Sequence, residues 1–146
     1  MATYSFSDVS ASLSGLTGVI DLGYGSANST EGITVTMPAA VNTVTIGADG
    51  EIMHSLSPNK SGTITVTLLK TSPVNKKLSL AYNAQSLSSA AWGNNVIVLR
   101  NQASGDITTA RSVAFSGVPN NTNATDGGTM AWTFACGKID QVLGEF

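Results

Sequence analysis

The sequence predicts a mainly β protein, an antiparallel β-sandwich or barrel with one flanking α-helix at about residues 73–88. Three observations carry this. Short segments with strictly alternating apolar and polar side chains recur along the chain. Only one segment changes to helical spacing, and it follows directly on a strand. Charged residues make up 11% of the chain, and neutral Ser, Thr and Gly take their place. A typical globular protein carries roughly 25% charge.

At the N-terminus Tyr4 and Phe6 are in phase, but the apolar positions shift to Val9, Ala11 and Leu13 after Asp8. That shift predicts a bulged strand, or a short strand preceded by a packed arm. Val19 to Leu22 reads as a second short strand, and residues 23–30 as a loop. Ile33, Val35 and Met37 then alternate with Thr34 and Thr36 until Pro38 ends the run. Val44 and Ile46 alternate with Thr43 and Thr45, and Asp49-Gly50 predicts a hairpin turn, because Gly accepts the positive φ such turns need. The return strand sets Ile52, His54 and Leu56 on one side, which makes His54 a core or interface histidine.

The strongest local signal is 61–82. Ile64, Val66 and Leu68 oppose Thr63, Thr65 and Thr67, the pattern of a half-buried strand. Ser72 is placed to cap a helix and Pro73 suits its first turn, where a missing N–H costs nothing. Val74, Leu78, Ala81 and Tyr82 then define the apolar helix face, with Val74, Leu78 and Tyr82 its packing residues. Gly93-Asn-Asn ends this region. Val96 to Leu99 is a continuous apolar run, as in a strand covered on both faces. Ile107, Thr109, Val113 and Phe115 alternate on a side that also holds Arg111. A polar loop, 119–128, leads to the last strand, with Met130, Trp132, Phe134 and Cys136 on one side. From Gly137 the chain reads as a tail with a short helical turn around Ile139 to Leu143.

At 146 residues the chain is long enough for one domain, 1–146, with a sizeable core. No apolar run approaches the ~20 residues of a membrane-spanning helix, and the N-terminus shows no signal-peptide pattern. The single cysteine, Cys136, excludes an intrachain disulfide. Residues 1–59 hold five acids (Asp8, Asp21, Glu31, Asp49, Glu51) and no Lys or Arg, whereas 60–146 hold all seven basic residues against four acids. This asymmetry is either chance scatter of sixteen charges or the sign of two different surfaces, one acidic and one mildly basic. No basic cluster marks a nucleic-acid binder.

Catalytic chemistry has no constellation to rest on. His54 is the only histidine, Cys136 lies in phase with Trp132 and Phe134, and neither zinc nor calcium spacing occurs. No catalytic, cofactor-binding or metal-binding residue is assigned, no cofactor is expected, and the chain reads as a non-enzyme. The informative feature is instead the Thr-lined side of several strands. Thr34, Thr36, Thr43, Thr45, Thr63, Thr65 and Thr67 carry no guarding charge, so they are candidates for pairing or packing between subunits.

The runs Thr45-Ile-Gly-Ala-Asp-Gly50, Met53-His-Ser55, Lys60-Ser-Gly-Thr-Ile-Thr-Val66 and Leu68-Leu-Lys-Thr-Ser-Pro-Val-Asn75 resemble the small tail tube proteins of contractile-tailed bacteriophages. So do Tyr4-Ser-Phe6, Asp126-Gly-Gly-Thr-Met130, Trp132-Thr-Phe134 and Gly137-Lys-Ile-Asp140. The architecture is related to type VI secretion and tailocin tubes. The resemblance implies a tail-tube fold assembled as hexameric rings that stack into an inner tube conducting DNA during ejection. It implies as partners other copies of the chain, the tail sheath, the tape measure, and baseplate or tail terminator proteins. DNA would pass without specific binding, and no membrane is involved. The location implied is the virion tail, assembled in the host cytoplasm. An acidic lumen would repel phosphates, with Asp21, Glu31, Asp49 and Glu51 as lining candidates. The hairpin at Asp49-Gly50 and the loop 119–128 are candidates for ring-to-ring contact. The competing reading is a β-rich self-assembling fimbrial or adhesin-like subunit, disfavoured by the missing signal peptide. A carbohydrate-binding module would need an exposed aromatic row.

Overall fold

The computed structural model describes residues 2–25 and 28–146, and the side chains of all of these except 28–31. A 3-10 turn at Phe6–Asp8 precedes β1 (Val9–Gly15), so the shifted phase at Asp8 marks a turn leading into a short strand. There follow β2 (Gly18–Asp21), β3 (Asn28–Thr36), β4 (Asn42–Ile46), β5 (Ile52–Leu56) and β6 (Gly62–Leu69). The helix α1 (Val74–Gln85) comes next, then β7 (Asn95–Asn101), β8 (Asp106–Gly117) and β9 (Thr129–Val142). Among the described residues seven strands form one antiparallel sheet in the order β2-β1-β7-β8-β9-β6-β3, curled into a half-barrel, while β4 and β5 pair only with each other. Ile33 and Val35 from the β3 edge line the same cavity as Val9 and Leu99 from β1 and β7. The curl thus brings the two sides of the sheet toward each other.

Ile64, Val66 and Leu68 of β6, Trp132 and Phe134 of β9, Leu13 of β1 and Leu78 of α1 share one buried cluster. Phe115 is its aromatic centre, 5.0 Å from Phe134, 6.0 Å from Trp132 and 5.7 Å from Tyr82 between ring centroids. Trp92 completes the group against Tyr82 and Phe115, so it packs rather than presenting a flat platform.

The helix starts where its capping residues place it. Ser72 Oγ accepts the Val74 N–H at 3.3 Å, and Pro73 already has helical dihedrals of φ -67° and ψ -18°. It ends at Gln85, short of residue 88, and Gln85 turns inward as an anchor. Its buried side-chain amide exchanges two hydrogen bonds with that of Asn95, at 2.9 and 2.7 Å, and Asn95 Nδ2 also donates to Val113 O. At the other end Asn75 Oδ1 accepts the Trp132 indole N–H at 3.0 Å, and its Nδ2 donates to Leu69 O. Both ends of α1 are fixed to the sheet by polar groups whose burial demands partners.

Four expectations from the sequence are corrected. In β8, Thr108 and Ala110 are buried, then Val113 and Phe115, so the inward phase changes within the strand and Ile107 is exposed. Arg111 and Ser112 together oppose the single Val96 of β7, a β-bulge, and Ser112 takes a φ of 53°. The expected tail is instead the second half of β9. Gly137 and Lys138 span the single Ser61, since Cys136 pairs with Gly62 while the Ile139 N–H donates to Lys60 O at 2.8 Å. The strand resumes with Ile139 buried, so the glycine and phase change mark a bulge and not an end. In β7 only Ile97 of the Val96–Leu99 run is fully buried, with its neighbours half-buried, so cover is one-sided. The loop after β2 is shorter than 23–30, because β3 begins at Asn28.

The β8 and β9 bulges lie side by side, with Arg111 paired to Lys138 and Val113 to Cys136 on either side of Ser112 and Gly137. A Cβ on Gly137 would stand 2.9 Å from the Cβ of Ser112, closer than two carbons pack. Gly137→Ala is expected to destabilise the protein by about 1–3 kcal/mol. Ser112→Gly, which removes both the obstructing Cβ and the positive-φ strain, should recover most of that loss in the double variant. Urea denaturation midpoints measure both effects, and an unchanged midpoint for Gly137→Ala would refute the steric argument. Independently, Gln85→Leu strands the Asn95 carbonyl in the core and is expected to cost about 1–3 kcal/mol by the same assay.

Candidate functional site

The β4–β5 ribbon stands apart from the core. Asn42, Val44 and Ile46 pair with Leu56, His54 and Ile52, so these six share one face, while Thr43, Thr45, Met53 and Ser55 share the other. Every residue of both strands is exposed. Ile46 and Ile52 are 67% and 60% exposed, which is the wrong side of the water interface for a paired β-branched couple. A lone two-stranded ribbon is marginally stable in water, so this one calls for a covering surface. His54 therefore sits on an exposed apolar face rather than in the core, where its Nδ1 accepts the Asn42 side-chain amide at 3.1 Å.

The hairpin tip is closed by Gly47 N–H to Glu51 O at 2.7 Å and by Gly50 at φ 89°. Asp49 Oδ1 accepts the Glu51 N–H at 3.2 Å, which brings these two acidic candidates together at the tip. Asp21 lies elsewhere, at the exposed end of edge strand β2, where its carboxylate accepts the Gly23 N–H. The side chain of Glu31 lies outside the described residues.

The threonine candidates fall into three environments. Thr34 and Thr36 are exposed on β3, which forms one edge of the sheet, and face Thr65 and Thr63 of β6. Thr43 and Thr45 are exposed on the ribbon. Thr63 and Thr65 are half-buried and Thr67 is buried, so Thr67 is interior in the single chain. Val74 and Leu78 are buried under the helix and Tyr82 half-buried, with Lys76 and Lys77 exposed. The loop 119–128 is tied back to the sheet by Lys70, whose Nζ donates to Thr122 O and to Asn123 Oδ1 at 2.8 Å.

One cluster was not legible in the sequence. Asp140 gathers three cations, Arg111 at 3.5 Å, Lys60 at 3.6 Å and Lys138 at 4.0 Å. Without the bulges Arg111 and Lys138 would share the buried side of Val113 and Cys136. The phase change turns both outward. Burial pushes the Cys136 thiol up from its ordinary range against the opposing pull of its hydrogen bond to the Ile64 backbone, which suits a packing residue and not a nucleophile. Among the described residues no group of three or more His, Cys, Asp or Glu could hold a metal ion.

The features that stand out in the geometry are the exposed ribbon and the two open edges of the sheet. The sequence profile of the bacteriophage PhiTE tail tube protein matches residues 1–144. The chain belongs to this tail tube family. As a tail tube protein it is a structural component of a phage virion, which removes the support for a fimbrial subunit. Solved structures to which the tail tube chain is similar include the following three. One is the sheath/tube terminator of an extracellular contractile injection system, at TM-score 0.61 and 14% identity over 97% of this chain and 98% of that one. Another is from the sheath-tube complex of such a system, at TM-score 0.58 and 13% identity over 97% and 92%. The third is the anti-feeding prophage tube-terminating cap, at TM-score 0.58 and 8% identity over 99% and 95%. At these identities the likeness concerns the fold. No curated protein matched the chain.

Proposed function

We propose that the protein assembles into hexameric rings that stack as the inner tube of a contractile tail and conduct DNA during ejection. The observation that carries this reading is the exposed β4–β5 ribbon on a curled sheet with two open edges, in a chain of the tail tube family. Repeating one contact between two different patches generates rings where the rotation closes and filaments where it does not. Continuing the half-barrel edge from copy to copy removes the unpaired backbone groups of β2 and β3, and Thr34 and Thr36 lie on that β3 edge. The ribbon, with Thr43 and Thr45 on its second face, serves contact between stacked rings. The loop 119–128 adds to that contact. The sheath surrounds the tube, and the tape measure, baseplate and terminator bound its length and ends. The sheath-tube and terminator structures of similar fold support this placement.

Asp21 and Glu31 are assigned to the lumen, where negative charge keeps phosphates from binding and lets DNA slide. Assembly takes place in the host cytoplasm before incorporation into the virion. Negative-stain microscopy of the purified protein is expected to show hollow rings or tubes, and a strictly monomeric protein at high concentration would overturn the proposal. Asp21→Lys combined with Glu31→Lys is expected to leave tubes intact while lowering infectivity of the assembled phage. Normal infectivity of that variant would remove the electrostatic role.

A further inference from the structure

A groove of about 560 Å³ opens at the foot of the ribbon, lined by Met37, Val41, Leu56, Pro58, Ile139 and Val142. Its apolar lining is wet, with Val41 61%, Leu56 84% and Val142 68% exposed. Lys60 and Asp140 lie on the same lining, and through Asp140 the groove is continuous with Arg111 and Lys138. One carboxylate cannot balance three cations. The cluster keeps a surplus of two positive charges, on side chains more than half exposed.

We propose that this groove receives the β4–β5 hairpin tip of a second copy of the chain. Ile46 and Ile52 of the incoming tip enter the apolar lining, and Asp49 and Glu51 meet Arg111, Lys138 and Lys60. The inference rests on the tube reading and names the contact that would build it. Two features select a second copy as occupant. The sequence preceding the groove's Lys60 contains five acids and no Lys or Arg, so the acidic tip and the basic rim are complementary parts of one chain. The tip cannot fold back onto its own groove, because five paired residues hold it roughly 15 Å from the ribbon's root. The contact is head-to-tail, the type that propagates instead of stopping at a dimer.

The assignment separates the four acidic lumen candidates. Asp49 and Glu51 belong to a subunit contact, and Asp21 and Glu31 remain for the lumen.

The test is a charge swap followed by a cross-link. Asp49→Lys with Glu51→Lys, and separately Arg111→Glu with Lys138→Glu, are each expected to lower the sedimentable assembled fraction by about tenfold at low salt. Combining all four restores it. Wild-type assembly should weaken as salt screens the pairs. Because Arg111→Glu and Lys138→Glu crowd Asp140 with acid and can disturb the fold, a second measurement avoids reversal. Copies carrying Glu51→Cys, mixed with copies carrying Lys138→Cys, should form disulfide-linked pairs under mild oxidation, and neither alone should do so. Wild-type tubes together with unaffected reversals, no rescue or no cross-link would overturn this contact and leave the tube reading intact. A wild-type protein that forms neither rings nor tubes would overturn both.

Discussion

The close approach of Ser112 to Gly137 is the constraint on which the architecture turns. Two neighbouring strands each take one extra residue at the same level, so their mutual register survives while both reverse their inward face. At this level the β8–β9 ladder continues without a shift, because the extra residue on one strand is matched by one on the other. Glycine is required on one side because the other side already fills the space with a Cβ. The bend lets Val113, Phe115, Phe134 and Cys136 close one part of the core and Thr108, Ala110 and Ile139 another. It also sets Arg111 and Lys138 outside, so curvature and surface charge have one cause.

The helix depends on that core and in turn seals it. Isolated helices of this length are marginal in water, and α1 has a modest apolar face of Val74, Leu78 and Ala81. Its two polar anchors do what burial alone cannot, since amide pairs have direction and fix where each end lies. The Gln85–Asn95 exchange reaches Val113 immediately beyond the β8 bulge, and the Asn75–Trp132 bond reaches β9 before its own bulge. Helix position and sheet bend are therefore coupled through a few oriented hydrogen bonds.

Much of this was legible in the residues. The alternation of 62–69, the Ser72-Pro73 start and the Asp49-Gly50 turn are local signals, and each is a local structure in the protein. The bulges were not, because a period-two pattern that changes phase looks the same as a pattern that ends. Gly137 read as the start of a tail, and Arg111 was placed on the side of Ile107, Val113 and Phe115; a charge on that side was the available clue. Of the two readings of His54, core or interface, the structure removes the core one. Period tells which residues share a face, and among the described residues nothing covers the ribbon's face. The Asp140 cluster joins residues 60, 111, 138 and 140, whose adjacency comes only from register. Asp21, Asp49 and Glu51 are exposed, as their charge requires, but exposure alone does not distinguish a lumen from a contact.

A polymer-forming subunit must stay soluble until it meets the growing end, and the low charge of this chain makes that difficult. The ribbon presents Val44, Ile46, Ile52 and Leu56 to water beside unpaired strand edges, a combination that favours indiscriminate pairing. Two tips that met face to face would bring Asp49 and Glu51 of one against the same acids of the other. Like charges placed together oppose that symmetric contact. The basic rim around Asp140 offers the same acids an opposite charge. In the proposed contact, one pair of side chains thus disfavours the dead-end dimer and favours the head-to-tail arrangement, which gives the like sign of Asp49 and Glu51 a physical reason.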